Sequence, residues 1–124
     1  MAPKILIVED DDATREALKQ VLIHAGYETN AAGSFQDGVQ ALIAASPDLL
    51  ITDVRLGEYN GLQLVATAKP PTTAIVLTGY ADPVLQKDAK QLGADYLVKP
   101  ISPPDLLRLV EKKLAAVHRG DSRQ

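Results

Sequence analysis

Asp53 follows the apolar run Leu49-Leu50-Ile51-Thr52, and three other strand-like runs in this chain also end in residues suited to phosphate chemistry. Ile5-Leu6-Ile7-Val8 ends in Glu9-Asp10-Asp11-Asp12, Ala74-Ile75-Val76-Leu77 ends in Thr78, and Tyr96-Leu97-Val98 ends in Lys99-Pro100. If these runs lie parallel in one sheet, their carboxyl ends share the edge at which open α/β sheets bind ligands. That edge would hold several carboxylates, a hydroxyl and an ammonium. Such a set can bind a divalent cation and accept a phosphoryl group.

Each of these residues also has an ordinary reading. Glu9 and Asp10 alone fit an acidic turn and a helix cap. Four consecutive acids exceed what a cap needs, however, and a bound cation relieves their mutual repulsion. Oxygen ligands in a chain without cysteine select a hard ion. Mg²⁺ is the natural choice, because it binds through one or two carboxylates and completes its shell with water and phosphate. Asp53 alone fits a strand-end turn. Closing the most buried strand beside a second acidic cluster, its carboxylate can instead attack phosphorus to give an acyl phosphate. Thr78 is an ordinary strand residue, but at this edge its hydroxyl can bond a phosphoryl oxygen, with Gly79 leaving room for the group. Lys99 alone reads as a solvated lysine, whereas at a strand end its ammonium can neutralise phosphoryl charge. The Lys99-Pro100 bond is expected to be cis, turning the amine back towards the sheet edge.

The elements that must position this set alternate along the chain. Asp11 or Asp12 can cap a first helix with Ala17, Leu18, Val21, Leu22 and Ala25 on its apolar face, ended by Gly26 in a left-handed stop. Tyr27 to Ala31 reads as a weak second strand. Ser34-Phe35-Gln36-Asp37 reads as a capping box opening a helix through Val39, Leu42 and Ile43, which Ser46-Pro47 ends. The third strand, Asp48 to Val54, is apolar almost throughout, as a central strand covered on both faces should be. The loop Gly57-Glu58-Tyr59-Asn60-Gly61 leads to a short helix from Leu62 to Ala68, stopped by Lys69-Pro70-Pro71. Asp82-Pro83 caps and opens a helix running to Leu92 before Gly93. Ser102-Pro103-Pro104-Asp105 starts the last helix, with Leu106, Leu107, Val110 and Leu114 inward, and the tail from His118 to Gln124 is polar and expected to fray. Five strands alternating with five helices indicate a parallel sheet with helices on both faces.

Composition narrows the function. The chain has 124 residues, 46% of them hydrophobic and 23% charged, which suits one ordered domain. A net charge of -3 gives no electrostatic case for nucleic acid. The absence of cysteine removes disulfides, thiolate metal sites and a cysteine nucleophile, and suits a reducing cytoplasm. No apolar run approaches membrane-spanning length, and the N-terminus, a four-residue apolar run followed by acids, lacks the pattern of a signal peptide.

From Lys4 to about Val117 the chain resembles the receiver domain of bacterial two-component response regulators. The resemblance rests on Ile5 to Asp11, Ile51 to Leu56 with Asn60-Gly61-Leu62, Leu77-Thr78-Gly79-Tyr80, and Gly93 to Pro100. It implies a doubly wound, flavodoxin-like fold of five strands in the order 2-1-3-4-5. It further implies that Asp53 accepts phosphate from a sensor histidine kinase or phosphotransfer protein, and that Thr78 and Lys99 contact the phosphoryl oxygens. Asp10, Asp53 and the Arg55 backbone carbonyl would bind Mg²⁺ directly, with Glu9 helping through water, and Tyr96 would be the switch aromatic that follows Thr78. The receiver would span residues 1–119, with 120–124 a polar tail or the start of a linker. On this reading the chain is a signalling module rather than a turnover enzyme. A homodimer stays open, because the charged pattern of DNA-binding receivers that dimerise is not evident around Asp105 to Lys113. Three departures stand out. Gly57 replaces the family's usual proline and should loosen its loop, the stretch from Gly61 to Thr78 is short, and Ile101 replaces an aromatic.

Two other classes share parts of the pattern. A flavin-binding electron carrier needs a hydroxyl- and glycine-rich phosphate loop after the first strand, where this chain has four acids. A metal-dependent phosphatase places its aspartyl nucleophile at the end of the first strand with a second aspartate two residues on. Glu9 to Asp12 meet that spacing in part, but Asp53 and Thr78 then lose their roles.

Overall fold

Apolar residues adjacent in sequence are divided between two cores, as the alternation of a strand requires. The computed structural model describes residues 2–122. The elements are β1 (Lys4–Val8), α1 (Asp12–His24), β2 (Glu28–Ala32), α2 (Phe35–Ala45), β3 (Leu49–Asp53), β4 (Arg55–Leu56), β5 (Tyr59–Asn60), α3 (Gly61–Thr67), β6 (Thr73–Thr78), α4 (Pro83–Gln91), β7 (Ala94–Val98) and α5 (Pro103–Ser122). Leu6, Val8, Leu50 and Val76 join Leu42 of α2, Leu64 of α3 and Ala89 of α4 in one core. Ile5, Ile7, Leu49, Ile51, Ile75 and Leu77 join Leu18 and Leu22 of α1 and Leu106, Val110 and Leu114 of α5 in the other. The sheet is therefore the middle layer of three, and β3 is buried at every position.

The five long strands pair in parallel in the order β2-β1-β3-β6-β7, which is the expected 2-1-3-4-5. Caps fall where the short polar residues predict. Asp11 accepts from the Thr14 amide at α1, Ser34 from Asp37 at α2, and Asp82 from Val84 at α4, with Pro83 at the first helical position. Gly26 and Gly93 close their helices at positive φ, and the Lys99-Pro100 bond is cis.

Several details differ from expectation. Ala17 and Ala25 are exposed, so the buried stripe of α1 narrows to Leu18 and Leu22. Ile43 is 70% exposed. It borders a hollow shared with Thr67, Ala68 and Pro70, because α3 is only seven residues long and ends before it could cover that position. The loop after Asp53 pairs as a hairpin, Arg55 with Asn60 and Leu56 with Tyr59, around Gly57 at φ +63°. Asn60 then caps α3 through a reciprocal box with Gln63. The α5 backbone continues through Ser122, so the tail from His118 is helical that far, and Arg123 and Gln124 lie outside the described residues.

Candidate functional site

Strand register alone brings the chemical groups together. Val8 pairs with Thr52, so Glu9 and Asp53 are the next residues on neighbouring strands. Asp53 pairs with Leu77 and Thr78 with Val98, which puts Thr78 and Lys99 one step further along the same edge. One carboxylate oxygen from each of Glu9, Asp10 and Asp53 lies within 4.8 Å of the others. Lys99 reaches across β6 and β3, its Nζ 2.6 Å from Glu9 Oε1 and 3.2 Å from Asp53 Oδ2.

Burial sets the electrostatics. Glu9 is fully buried and Asp53 is 9% exposed, whereas Asp10 is exposed. Burial pushes the Glu9 carboxyl up to about 7, against the lowering hydrogen bond from Lys99, and the neighbouring Asp53 adds to the rise. For Lys99, burial works against the charged form. Its hydrogen bonds and charge pairing with Glu9 and Asp53 outweigh that, and the net shift is upward. The ammonium thus occupies the place where the carboxylates most need positive charge. Among the described residues no buried side-chain polar atom lacks a hydrogen-bond partner. The all-oxygen donor set, converging beside a cation, fits a hard divalent ion.

The other acids of the run are used elsewhere. Asp11 caps α1, and the Thr14 hydroxyl followed by the Thr14 amide holds its carboxyl below the usual range. Asp12, the first residue of α1, is exposed and paired with Arg15 at 2.6 Å. Arg15 also donates to the Glu9 backbone carbonyl at 2.9 Å, tying α1 to the end of β1. Sequence reasoning missed Arg15, and the only signal was its i,i+3 spacing from Asp12.

The Thr78 hydroxyl accepts from the Tyr80 amide at 3.2 Å and donates to the Tyr80 carbonyl at 3.3 Å. Tyr96 is half-buried, and its hydroxyl accepts from the Asp82 amide at 3.1 Å and donates to the Tyr80 carbonyl at 3.5 Å. Thr78 and Tyr96 therefore meet on the same β6–α4 loop. Arg55 and Tyr80 are exposed beside the edge.

A doubly wound parallel sheet with carboxylates, a threonine and a lysine at its carboxyl edge defines a phosphoacceptor class of α/β domain. Residues 5–111 match the response regulator receiver domain, and the chain belongs to that family as a phosphoacceptor signalling module. It is 37% identical over 116 residues to the response regulator protein FleR of Pseudomonas aeruginosa, covering 90% of this chain and 24% of FleR. It is 36% identical over 124 residues to the alginate biosynthesis transcriptional regulatory protein AlgB of the same organism, covering 97% of this chain and 27% of AlgB. The chain thus spans about a quarter of each relative's length. A CheY-like response regulator receiver domain protein from Methanospirillum hungatei superposes with a TM-score of 0.91 at 31% identity, covering 97% of this chain and 99% of that one. A response regulator structure from Chloroflexus aurantiacus gives 0.83 at 36% identity, covering 93% and 99%. Among the described residues no helix is long and apolar enough to cross a membrane.

Proposed function

We propose that Asp53 accepts a phosphoryl group from the phosphohistidine of a sensor kinase or phosphotransfer protein. The observation that carries this reading is the convergence of Glu9, Asp10 and Asp53 beside the Lys99 ammonium at one strand edge. An Asp53 carboxylate oxygen forms the new bond to phosphorus. The phosphorus–nitrogen bond of the phosphohistidine breaks, and its electron pair returns to the imidazole. Asp10, Asp53 and the Arg55 backbone carbonyl would hold Mg²⁺, with Glu9 acting through water. When bound, the ion offsets charge on the transferring oxygens. Lys99 stabilises the same charge from the β7 side. The test is intact mass after incubation with acetyl phosphate, with Mg²⁺ and with EDTA in its place. A phosphate adduct only in the presence of Mg²⁺ is the expected result, and an adduct in EDTA would count against the metal.

On this reading the chain acts once per phosphoryl group rather than as a turnover enzyme. It works in the cytoplasm, a compartment suited to a cysteine-free chain. The receiver occupies residues 1–119, and 120–124 form a tail or the start of a linker to an output domain.

Phosphoryl oxygens at Asp53 would draw the Thr78 hydroxyl away from Tyr80 by a charge-assisted hydrogen bond. That movement would vacate space beside Tyr96, whose hydroxyl shares the Tyr80 carbonyl, and the ring would swing inward. The face formed by α4, β7 and α5 would change with it, biasing a two-state equilibrium that a partner can read. NMR shifts with Mg²⁺ and beryllofluoride should move at Thr78, at Tyr96 and across this face. A response confined to the first two would rule out the route.

Arg55 and Tyr80 lie two residues beyond Asp53 and Thr78 and are exposed, and their side chains would overhang the pocket mouth. Both are large enough to obstruct the water that hydrolyses the acyl phosphate. Arg55→Ala and Tyr80→Ala should each lose phosphate faster than wild type. Decay in wild type as fast as in the variants would remove the shielding role.

A further inference from the structure

Tyr59 stacks on Phe35, with ring centroids 4.4 Å apart and planes 9° from parallel. Phe35 is the first residue of α2 and packs against the core on the α2–α3–α4 side of the sheet. Tyr59 stands on the hairpin that follows Asp53, opposite Leu56, which is buried in the same core. The base of the hairpin is tied to the sheet, because the Val54 amide donates to the Leu77 carbonyl at 2.9 Å and the Gly61 amide to the Val54 carbonyl at 2.7 Å. Its turn, at Gly57, faces open space, since a Cβ there would meet nothing within 4 Å. The aromatic pair joins the second strand of the hairpin to α2. The Arg55 carbonyl belongs to the peptide linking Arg55 to Leu56, and Leu56 is the partner of Tyr59.

We propose that the Phe35–Tyr59 stack positions the metal site, holding the hairpin so that the Arg55 backbone carbonyl keeps the position its proposed role as a Mg²⁺ ligand needs. The inference rests on the proposed role of that carbonyl as a Mg²⁺ ligand. Tyr59 is a positioning residue and touches no reacting atom. Aromatic pairing contributes energy beyond the area it buries, and only a ring at position 59 can supply it here.

The experiment titrates the full chain with MgCl₂ by calorimetry, with melting curves in EDTA to verify folding. Tyr59→Ala and Phe35→Ala are expected to weaken Mg²⁺ binding about three- to tenfold, while Tyr59→Phe stays within about twofold of wild type. The double alanine variant should be no weaker than either single one, because both remove one contact. In the metal-free protein the Arg55 and Leu56 amide shifts should move in Tyr59→Ala and return in Tyr59→Phe. Wild-type affinity in Tyr59→Ala, or a loss that phenylalanine does not recover, would overturn the inference. Should Tyr59→Ala fail to fold, Tyr59→Leu keeps apolar bulk without a ring. It should bind Mg²⁺ more weakly than Tyr59→Phe, and equal affinity would be equally fatal. If wild type binds no Mg²⁺, the underlying site reading falls too, whereas tight wild-type binding with an indifferent Tyr59→Ala removes this inference alone.

Discussion

Asp53→Asn is expected to abolish the phosphate adduct that wild type forms with acetyl phosphate and Mg²⁺. Asn keeps the size of the side chain and an oxygen that can still accept from Lys99, now 3.2 Å away. What it loses is the carboxylate charge that the proposed attack on phosphorus needs. Both neighbouring acids bring a carboxylate oxygen within 4.8 Å, but neither shares the setting of Asp53. Glu9 is fully buried, held by Lys99 at 2.6 Å, and its burial favours the protonated form. Asp10 is exposed and lies past the end of β1, outside the paired register that brings Asp53 to the edge. Intact mass reads the outcome directly, and peptide mapping of the wild-type adduct locates it. An unchanged adduct yield in Asp53→Asn would remove the assignment.

The parts of this site that were legible in the sequence are those that strand register determines. Asp53, Glu9, Thr78 and Lys99 each follow an apolar run, and parallel pairing of those runs suffices to gather them. Helix stops were legible for a related reason, since Gly26, Gly93 and the caps at Asp11, Ser34 and Asp82 act through local backbone geometry. The hairpin was not legible. Strands of two residues carry no periodicity, and Gly57-Glu58 reads equally well as an open loop. Ile43 misled because helical spacing shows which way a residue faces but not whether the neighbouring helix is long enough to cover it. The Phe35–Tyr59 stack and the Arg15 contact with the Glu9 carbonyl are tertiary. Nothing at positions 35, 59 or 15 points to them before the fold is known.

Gly61 belongs to the same group, and the second large effect is expected there. Its φ is not in the left-handed region, so conformational freedom is not what requires glycine. Space is. A Cβ at Gly61 would overlap the Asp53 carbonyl oxygen and lie 2.9 Å from Thr52 Oγ1 and 3.0 Å from the Asp53 carbonyl carbon. The Gly61 amide donates to the Val54 carbonyl at 2.7 Å, so the first residue of α3 lies directly against the backbone that carries Asp53. Backbone cannot yield as the end of a flexible side chain can. Gly61→Ala must therefore push α3 and the hairpin away from β3, and overpacking of this kind costs about 1–3 kcal/mol. A fall in Tm of several degrees or more should follow. The same shift would move Asp53 relative to Asp10 and Lys99, so the adduct yield at saturating Mg²⁺ should fall as well. Gly79→Ala is the control for stability alone, because a Cβ there meets nothing within 4 Å and φ is not left-handed. Its stability should stay within about 0.5 kcal/mol of wild type. A Gly61→Ala protein that melts with wild type and phosphorylates at the wild-type yield would show that α3 can retreat without disturbing Asp53, and the contact would then not be what fixes the position of Asp53.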